Sequence, residues 1–371
     1  MRRAVRSIWT AHVNIFGQIS TSEDCLVPLE GLLFLSIKIT GIAVRFGVSC
    51  DFRGQLIGNA AMKTLQLILV VAFSAAAAAA QNAAPFRNAE IGRGFTSLQA
   101  AVDSIGDADG TILIAPGTYR QCAVQKSGII AFRAVVPGQS IFDTKTCEGK
   151  AALVLRGQAA RVDGIVFQNM RGPDANGAGI RLEKGNLTVT RSIFRTSEQG
   201  ILTADDRTGD ISISQSSFSG LGRCDRGLPC AHSVYIGGYR ALSITKSRFE
   251  RGNGGHYLKS RASRVTITDN AFDDSRGRET SYMIDLPNGA DGSIARNIFV
   301  QGASKENYSA FITVAPAGRT QSSAGLSINA NEASVAPDVD RETVFVADWS
   351  GDRLALGGNR LGRGLKPFEK R

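Results

Sequence analysis

Histidine is nearly missing from this chain: there are three in 371 residues, and only His232 and His256 lie beyond residue 81. The six cysteines stand at no zinc-knuckle spacing, so a structural zinc is not expected. Tight carboxylate clusters are missing too, and the residues themselves call for no calcium site. Runs of Lys or Arg interleaved with aromatics do not occur, which argues against a nucleic-acid partner. A clean apolar span of roughly 20 residues is also lacking. The stretch Leu32 to Val44 is shorter and is interrupted by Lys38. The mature part is therefore expected to have no stable membrane span.

What is present begins with an export signature in an unusual place. Met62-Lys-Thr-Leu-Gln-Leu-Ile-Leu-Val-Val-Ala-Phe-Ser, followed by Ala75 to Ala80, has a basic start, an apolar run and a small-residue cleavage region. That is the layout of a secretory signal peptide. It places 62–81 as the signal and 1–61 as an extension arising from start-codon assignment. The alternative is a real extension with Leu32 to Val44 as a membrane segment. Export predicts a periplasmic or secreted protein. Beyond the signal stand four cysteines, an even number, and proximity favours Cys122–Cys147 and Cys224–Cys230 as disulfides. The whole chain has 43 basic and 33 acidic residues, and from residue 82 onward 36 stand against 29. That excess is spread along the chain and favours a polyanionic partner. For an exported protein an acidic polysaccharide is the expectation.

A phrase then returns five times. Leu187-Thr-Val-Thr-Arg-Ser-Ile-Phe194 is followed by versions ending at Phe218, Phe249, Phe272 and Phe299, spaced 24, 31, 23 and 27 residues apart. Such periods mark stacked repeats. Apolar and polar residues alternate, so each phrase reads as a strand with one buried face. Ser192, Ser216, Ser247, Asn270 and Asn297 stand two before each Phe, where short polar side chains suit a tight corner. The segment Phe95 to Tyr119 adds a short amphipathic helix, with Thr96 or Ser97 as N-cap, that would cover the first coil.

This opening and the repeated phrases resemble the right-handed parallel β-helix proteins of the pectate-lyase-like superfold, over roughly residues 90 to 330. The resemblance implies an all-β, right-handed parallel β-helix (solenoid) with a short N-terminal capping helix. The domain is expected at 86–330, with an irregular cap and tail at 331–371. It leaves function open, because one fold carries many chemistries. Calcium enters by family analogy alone, and no cofactor is predicted.

The repeat also aligns a second set of strands. Ile180, Ile201, Val234, Leu258, Ile284 and Ile312 form an apolar column that must point inward. The next residues then point outward: Arg181, Leu202, Tyr235, Lys259, Asp285 and Thr313. Tyr235, Lys259 and Asp285 thus occupy three successive coils within about 10 Å, and Arg261 faces the same side. His232, His256 and Tyr282 stand just before these strands, in register. Strict alternation would turn both histidines inward, but each follows an expected bend. Such convergence of ionisable groups marks a candidate site.

The chemistry it fits is that of a uronan lyase or C5-epimerase. Arg261 would neutralise the sugar carboxylate. Lys259, if desolvated, would take the C5 proton, and Tyr235 or a histidine would be the acid. Asp285 would position Lys259, yet its charge favours the ammonium and opposes the base role. A strong Lys259–Asp285 pair would pass that role to His256 or Tyr235. Two alternatives stand beside this one. A polygalacturonase-like hydrolase matches His232-Ser-Val-Tyr-Ile-Gly-Gly238 and Leu258-Lys-Ser-Arg261, with Asp205-Asp206 as carboxylates, although these follow their strand and read more readily as a turn. A non-catalytic carbohydrate-binding or surface β-helix needs the same face without a competent base. Oligomeric state is silent in the sequence.

Overall fold

The computed structural model of the chain describes residues 33–39, 42–48 and 84–371, except 226. The signal segment 62–81 lies outside the described residues, as does most of 1–61. Within the latter, strand Leu33–Ile39 pairs antiparallel with Ile42–Val48. No described helix is long and apolar enough to cross a membrane.

From residue 86 onward the chain winds as a parallel β-solenoid with three sheets. Sheet one has ten strands from Ala123–Gln125 to Leu365–Lys370, and sheet three has ten from Gly117–Tyr119 to Arg360–Leu361. Sheet two has twelve, ending at Ala355–Gly357. Its first strand, Phe86–Asn88, pairs antiparallel with both Gly94–Phe95 and Asp109–Ile114, and from Asp109–Ile114 onward the pairings are parallel. Helix Leu98–Asp103, N-capped by Ser97, lays Leu98, Ala101 and Val102 on the core beside Phe86.

Each repeated phrase is two strands and a corner, where a single strand was expected. Asn186–Thr190 belongs to sheet two and Ile193–Arg195 to sheet three. Between them Arg191 takes φ 48°, as do Gln215 (50°), Lys246 (51°), Asp269 (62°) and Arg296 (55°) in later coils. A left-handed residue turns the chain sharply without consuming an inward position. The corner removes a backbone N–H from the ladder, and the short polar column restores it one coil away. Ser216 Oγ accepts from Ser192 N–H at 3.2 Å, Ser247 Oγ from Ser216 N–H at 3.2 Å, and Asn270 Oδ1 from Ser247 N–H at 2.9 Å. All are buried, so the bonds are made where water cannot replace them.

Inside, Phe194, Phe218, Phe249, Phe272 and Phe299 stack with centroids 4.6–5.0 Å apart. Phe142 and Phe167 extend the column toward the N-terminus. The strand spacing of about 4.8 Å imposes that distance.

The solenoid does not stop near 330. Glu332–Val335, Thr343–Asp348, Ala355–Gly357, Arg360–Leu361 and Leu365–Lys370 continue the three sheets where an irregular cap was expected. The phrase fades there because Ala333 and Leu361 take the phenylalanine register. Phe345, from sheet one, packs edge-on against Phe299 at 5.8 Å. Bulk is conserved in the core while the linear pattern is lost. Both expected disulfides are present, Cys122–Cys147 and Cys224–Cys230. Paired cysteines fit an oxidising compartment.

Candidate functional site on the outer face of sheet one

The register of sheet one is the one read from the sequence. Ile180, Ile201, Val234, Leu258, Ile284 and Ile312 are successive partners, and so are Arg181, Leu202, Tyr235, Lys259, Asp285 and Thr313. The first column lies in the core. What alternation missed is a doublet. Tyr257 and Leu258 both enter the core, as do Met283 with Ile284 and Phe311 with Ile312. Two consecutive inward residues reverse the parity, so the residue three before each outward one is also outward. His232, His256 and Tyr282 thereby join Tyr235, Lys259 and Asp285 as a second outer column.

The three rings stack, His232 on His256 at 4.8 Å and His256 on Tyr282 at 5.4 Å. Their nitrogens link the coils. His256 N–H donates to His232 Nδ1 at 3.0 Å, and Tyr282 N–H donates to His256 Nδ1 at 3.1 Å. A neutral imidazole that accepts at Nδ1 carries its proton on Nε2. Both histidines are therefore outward-directed donors. Burial, then the charges of Lys259 and Lys305, hold the His256 pKa down at about 3. Burial, then His256 and Lys259, put His232 well below the usual imidazole range. Gly255 makes room for this stack: its φ is 65°, and a Cβ there would come within 2.8 Å of His232 Nδ1.

Asp285 sits at the centre and is almost fully buried. Its Oδ2 is 3.4 Å from Lys259 Nζ and 3.4 Å from His256 Nε2, while Thr313 Oγ1 donates to Oδ1 at 2.8 Å. Burial raises its pKa, against the pull of Lys259, Thr313 and Arg261. The exposed surface pair that a simple ladder would give is thus a buried one, with Lys259 keeping a fifth of its side chain accessible. Arg261 completes the group. Its Nε–H donates to Tyr235 Oη at 3.1 Å and its Nη1 bonds Asn288 Oδ1. Gln321 holds the Arg261 carbonyl at 2.6 Å. Lys259 Nζ lies 5.7 Å from the Tyr235 ring centroid, so two cations flank one phenol.

Sequence reasoning missed the support beneath this face. Lys305 Nζ lies 3.1 Å from Asp274 Oδ2 with both side chains buried, and it also bonds Thr280 Oγ1 and the Ser281 carbonyl. Tyr257 Oη donates to Asp274 Oδ1 at 2.7 Å. Asn307 Nδ2 donates to Tyr282 Oη at 2.6 Å, so one loop fixes the end of the ring stack. Asp205 and Asp206 are elsewhere. Their oxygens accept from the backbone N–H groups of Gly238, Gly185 and Thr208, as a turn requires. No group of three or more His, Cys, Asp or Glu suited to a metal occurs among the described residues.

The strand pairing defines the chain as a parallel β-helix protein. No family model matches it, and no curated protein does. Among solved structures it is similar to ORF18 of Geobacillus virus E2, at 14% identity and a TM-score of 0.42 over 73% of this chain. That match covers 55% of the viral protein, so the chain spans about half its length. It is also similar to the Streptococcus pneumoniae surface protein and adhesin PfbA, at 11% identity and a TM-score of 0.32, covering 74% of this chain and 94% of that one.

Proposed function

We propose that the outer face of sheet one takes an acidic polysaccharide and acts on its uronate residues by β-elimination or C5 epimerisation, in the periplasm or outside the cell. The observation that carries this reading is Tyr235 flanked by Arg261 and Lys259. The two cations suit a sugar carboxylate and the negative charge that spreads onto it when the adjacent C5–H bond breaks. Lys259 is the cation in this reading and not the base, because Asp285 stands against its ammonium. Both histidine Nδ1 atoms are occupied, which leaves them as donors. Tyr235 remains for proton transfer. Its oxygen takes the C5 proton as its own proton passes to the departing O4, so that the C4–C5 double bond forms as C4–O4 breaks. In epimerisation C4–O4 stays intact: Tyr235, as its phenolate, takes the C5 proton on one face and a histidine Nε2–H supplies a proton to the other. At the other end of the solenoid, helix Leu98–Asp103 is read as the cover of the first coil.

The test is a screen of acidic polysaccharides for the ultraviolet absorbance of the unsaturated uronate, with Tyr235→Phe beside the parent. A product band in the parent and none in Tyr235→Phe, with an unchanged melting curve, is expected for elimination. Inverted C5 configuration without a band identifies the epimerase. Binding with neither makes the face a carbohydrate-binding surface, and reducing ends without a band indicate hydrolysis. Either of those last two results overturns the proposal.

A further inference from the structure

Arg261 is held on two sides, yet no carboxylate is in its grasp. The fold treats other arginines differently. Arg191, Arg240 and Arg296 each clasp an aspartate of a neighbouring coil through two nitrogens, Asp163, Asp210 and Asp269 in turn. Arg261 has the same fork, but its two bonded nitrogens meet neutral oxygens, the Tyr235 phenol and the Asn288 amide. Asp285, on the same face, is already engaged by Lys259, His256 and Thr313. Among the described residues the third nitrogen of Arg261, Nη2, has no partner.

The Asn288 amide is placed by its turn and by the coil that follows. Leu286-Pro287-Asn288-Gly289 is closed by the Gly289 N–H on the Leu286 carbonyl at 3.0 Å, and Pro287 pre-sets the backbone angle of its second position. The next coil pins the two carbonyls in between: Ala317 N–H donates to Pro287 O at 2.9 Å and Gln321 N–H to Asn288 O at 3.0 Å. A Cβ on Gly289, at φ 82°, would stand 2.5 Å from the Gln321 carbonyl oxygen, so only glycine fits there. Gln321 also holds the Arg261 carbonyl through Nε2. One residue thus fixes the backbone of both partners. Because Arg261 can only donate, Asn288 must turn Oδ1 toward it and is left with Nδ2. What the pair leaves unused is N–H alone, and an acceptor-only group such as a carboxylate is its complement.

We infer that Asn288 is the positioning residue behind the site's choice of an anion: it aims Arg261 without cancelling its charge. An aspartate in this place would bond the guanidinium more strongly and, in doing so, stand in for the substrate's carboxylate. The neutral amide avoids that, where the same fold sets aspartates against Arg191, Arg240 and Arg296. This rests on reading the Tyr235 face as a uronate site.

The test measures binding of galacturonate, mannuronate and guluronate hexamers by calorimetry for the parent protein, Asn288→Asp and Asn288→Ala, with a melting curve for each. Aspartate keeps the shape of asparagine and strengthens the bond to Arg261, so Asn288→Asp should melt at or above the parent and Asn288→Ala below it. Between the two variants affinity should run the other way. Asn288→Asp is expected to bind about tenfold or more weaker than the parent. Asn288→Ala should lose less, because the charge of Arg261 stays whole. A structural role alone predicts the reverse, since aspartate keeps the bond that alanine removes. Parent-like affinity in Asn288→Asp, or a larger loss in Asn288→Ala, overturns the inference and leaves the Tyr235 reading intact. A parent that binds none of the hexamers removes both.

Discussion

Two ring stacks run along this solenoid, one inside and one outside. The inner one places Phe218, Phe249 and Phe272 at 4.7 and 4.6 Å. The outer one places His232, His256 and Tyr282 at 4.8 and 5.4 Å. The coil repeat sets the distance in both. What differs is what the surroundings ask of each ring. In the core a ring needs only bulk and an apolar face, so the same residue type recurs coil after coil. Outside, each imidazole must also accept a backbone N–H and keep its proton on the far nitrogen. One geometry thus serves two purposes, and the hydrogen-bonding of the column separates them.

The comparison can be broken in several ways. Phe249→Ala removes the middle of the inner stack, and large-to-small core changes of this type cost about 3–5 kcal/mol. Chemical denaturation of the mature protein should show a loss of that size, and a loss below 1 kcal/mol would mean that the neighbouring rings collapse into the gap. Asn297→Ala should cost less, about 1–3 kcal/mol. It leaves the buried Asn270 N–H without its 3.0 Å acceptor. A neutral outcome in the same measurement would show that the corner column is replaceable.

The last effect belongs to the outer stack and is read against pH. An unfolded histidine titrates near 6.5, while folded His256 resists protonation down to about 3. Its contribution is therefore whole above about pH 6.5 and is lost as pH falls below that, because the unfolded chain then binds the proton that the fold refuses. Asp285 works in the opposite sense. Its raised pKa lets the fold keep a proton that the unfolded carboxyl releases, which favours the fold in more acidic solution. Between pH 6.5 and 4.5 the parent should lose about 1–3 kcal/mol more than His256→Gln. His232, shifted the same way, keeps part of the slope in that variant. Superimposable slopes would remove His256 from the account.

Much of this was legible beforehand, for a physical reason. Parallel in-register stacking makes equivalent residues neighbours, so aligning Ile201, Val234, Leu258 and Ile284 was enough to place Tyr235, Lys259 and Asp285 on adjacent coils. The two disulfides followed from sequence proximity. The last coils did not follow, because Ala333 and Leu361 replace the phenylalanine while Phe345 supplies the bulk from another sheet. The Lys305–Asp274 pair was also out of reach, since the two residues lie in separate loops that only the winding brings together.

By itself, then, the repeat determined the solenoid, its inward columns and the outward order of Tyr235, Lys259 and Asp285. Only the tertiary structure decided which way the histidines face. Alternation holds while successive residues take regular strand dihedrals, and the inward pair Tyr257–Leu258 ends it. A bend through Gly254 and Gly255, at φ 110° and 65°, precedes the pair where the chain enters the sheet. The sequence offers the bend, but a period-two pattern does not say how it aims the residues that follow. The same bend brings His256 within 3.4 Å of Asp285, and so the site is made by the corner as much as by the strand.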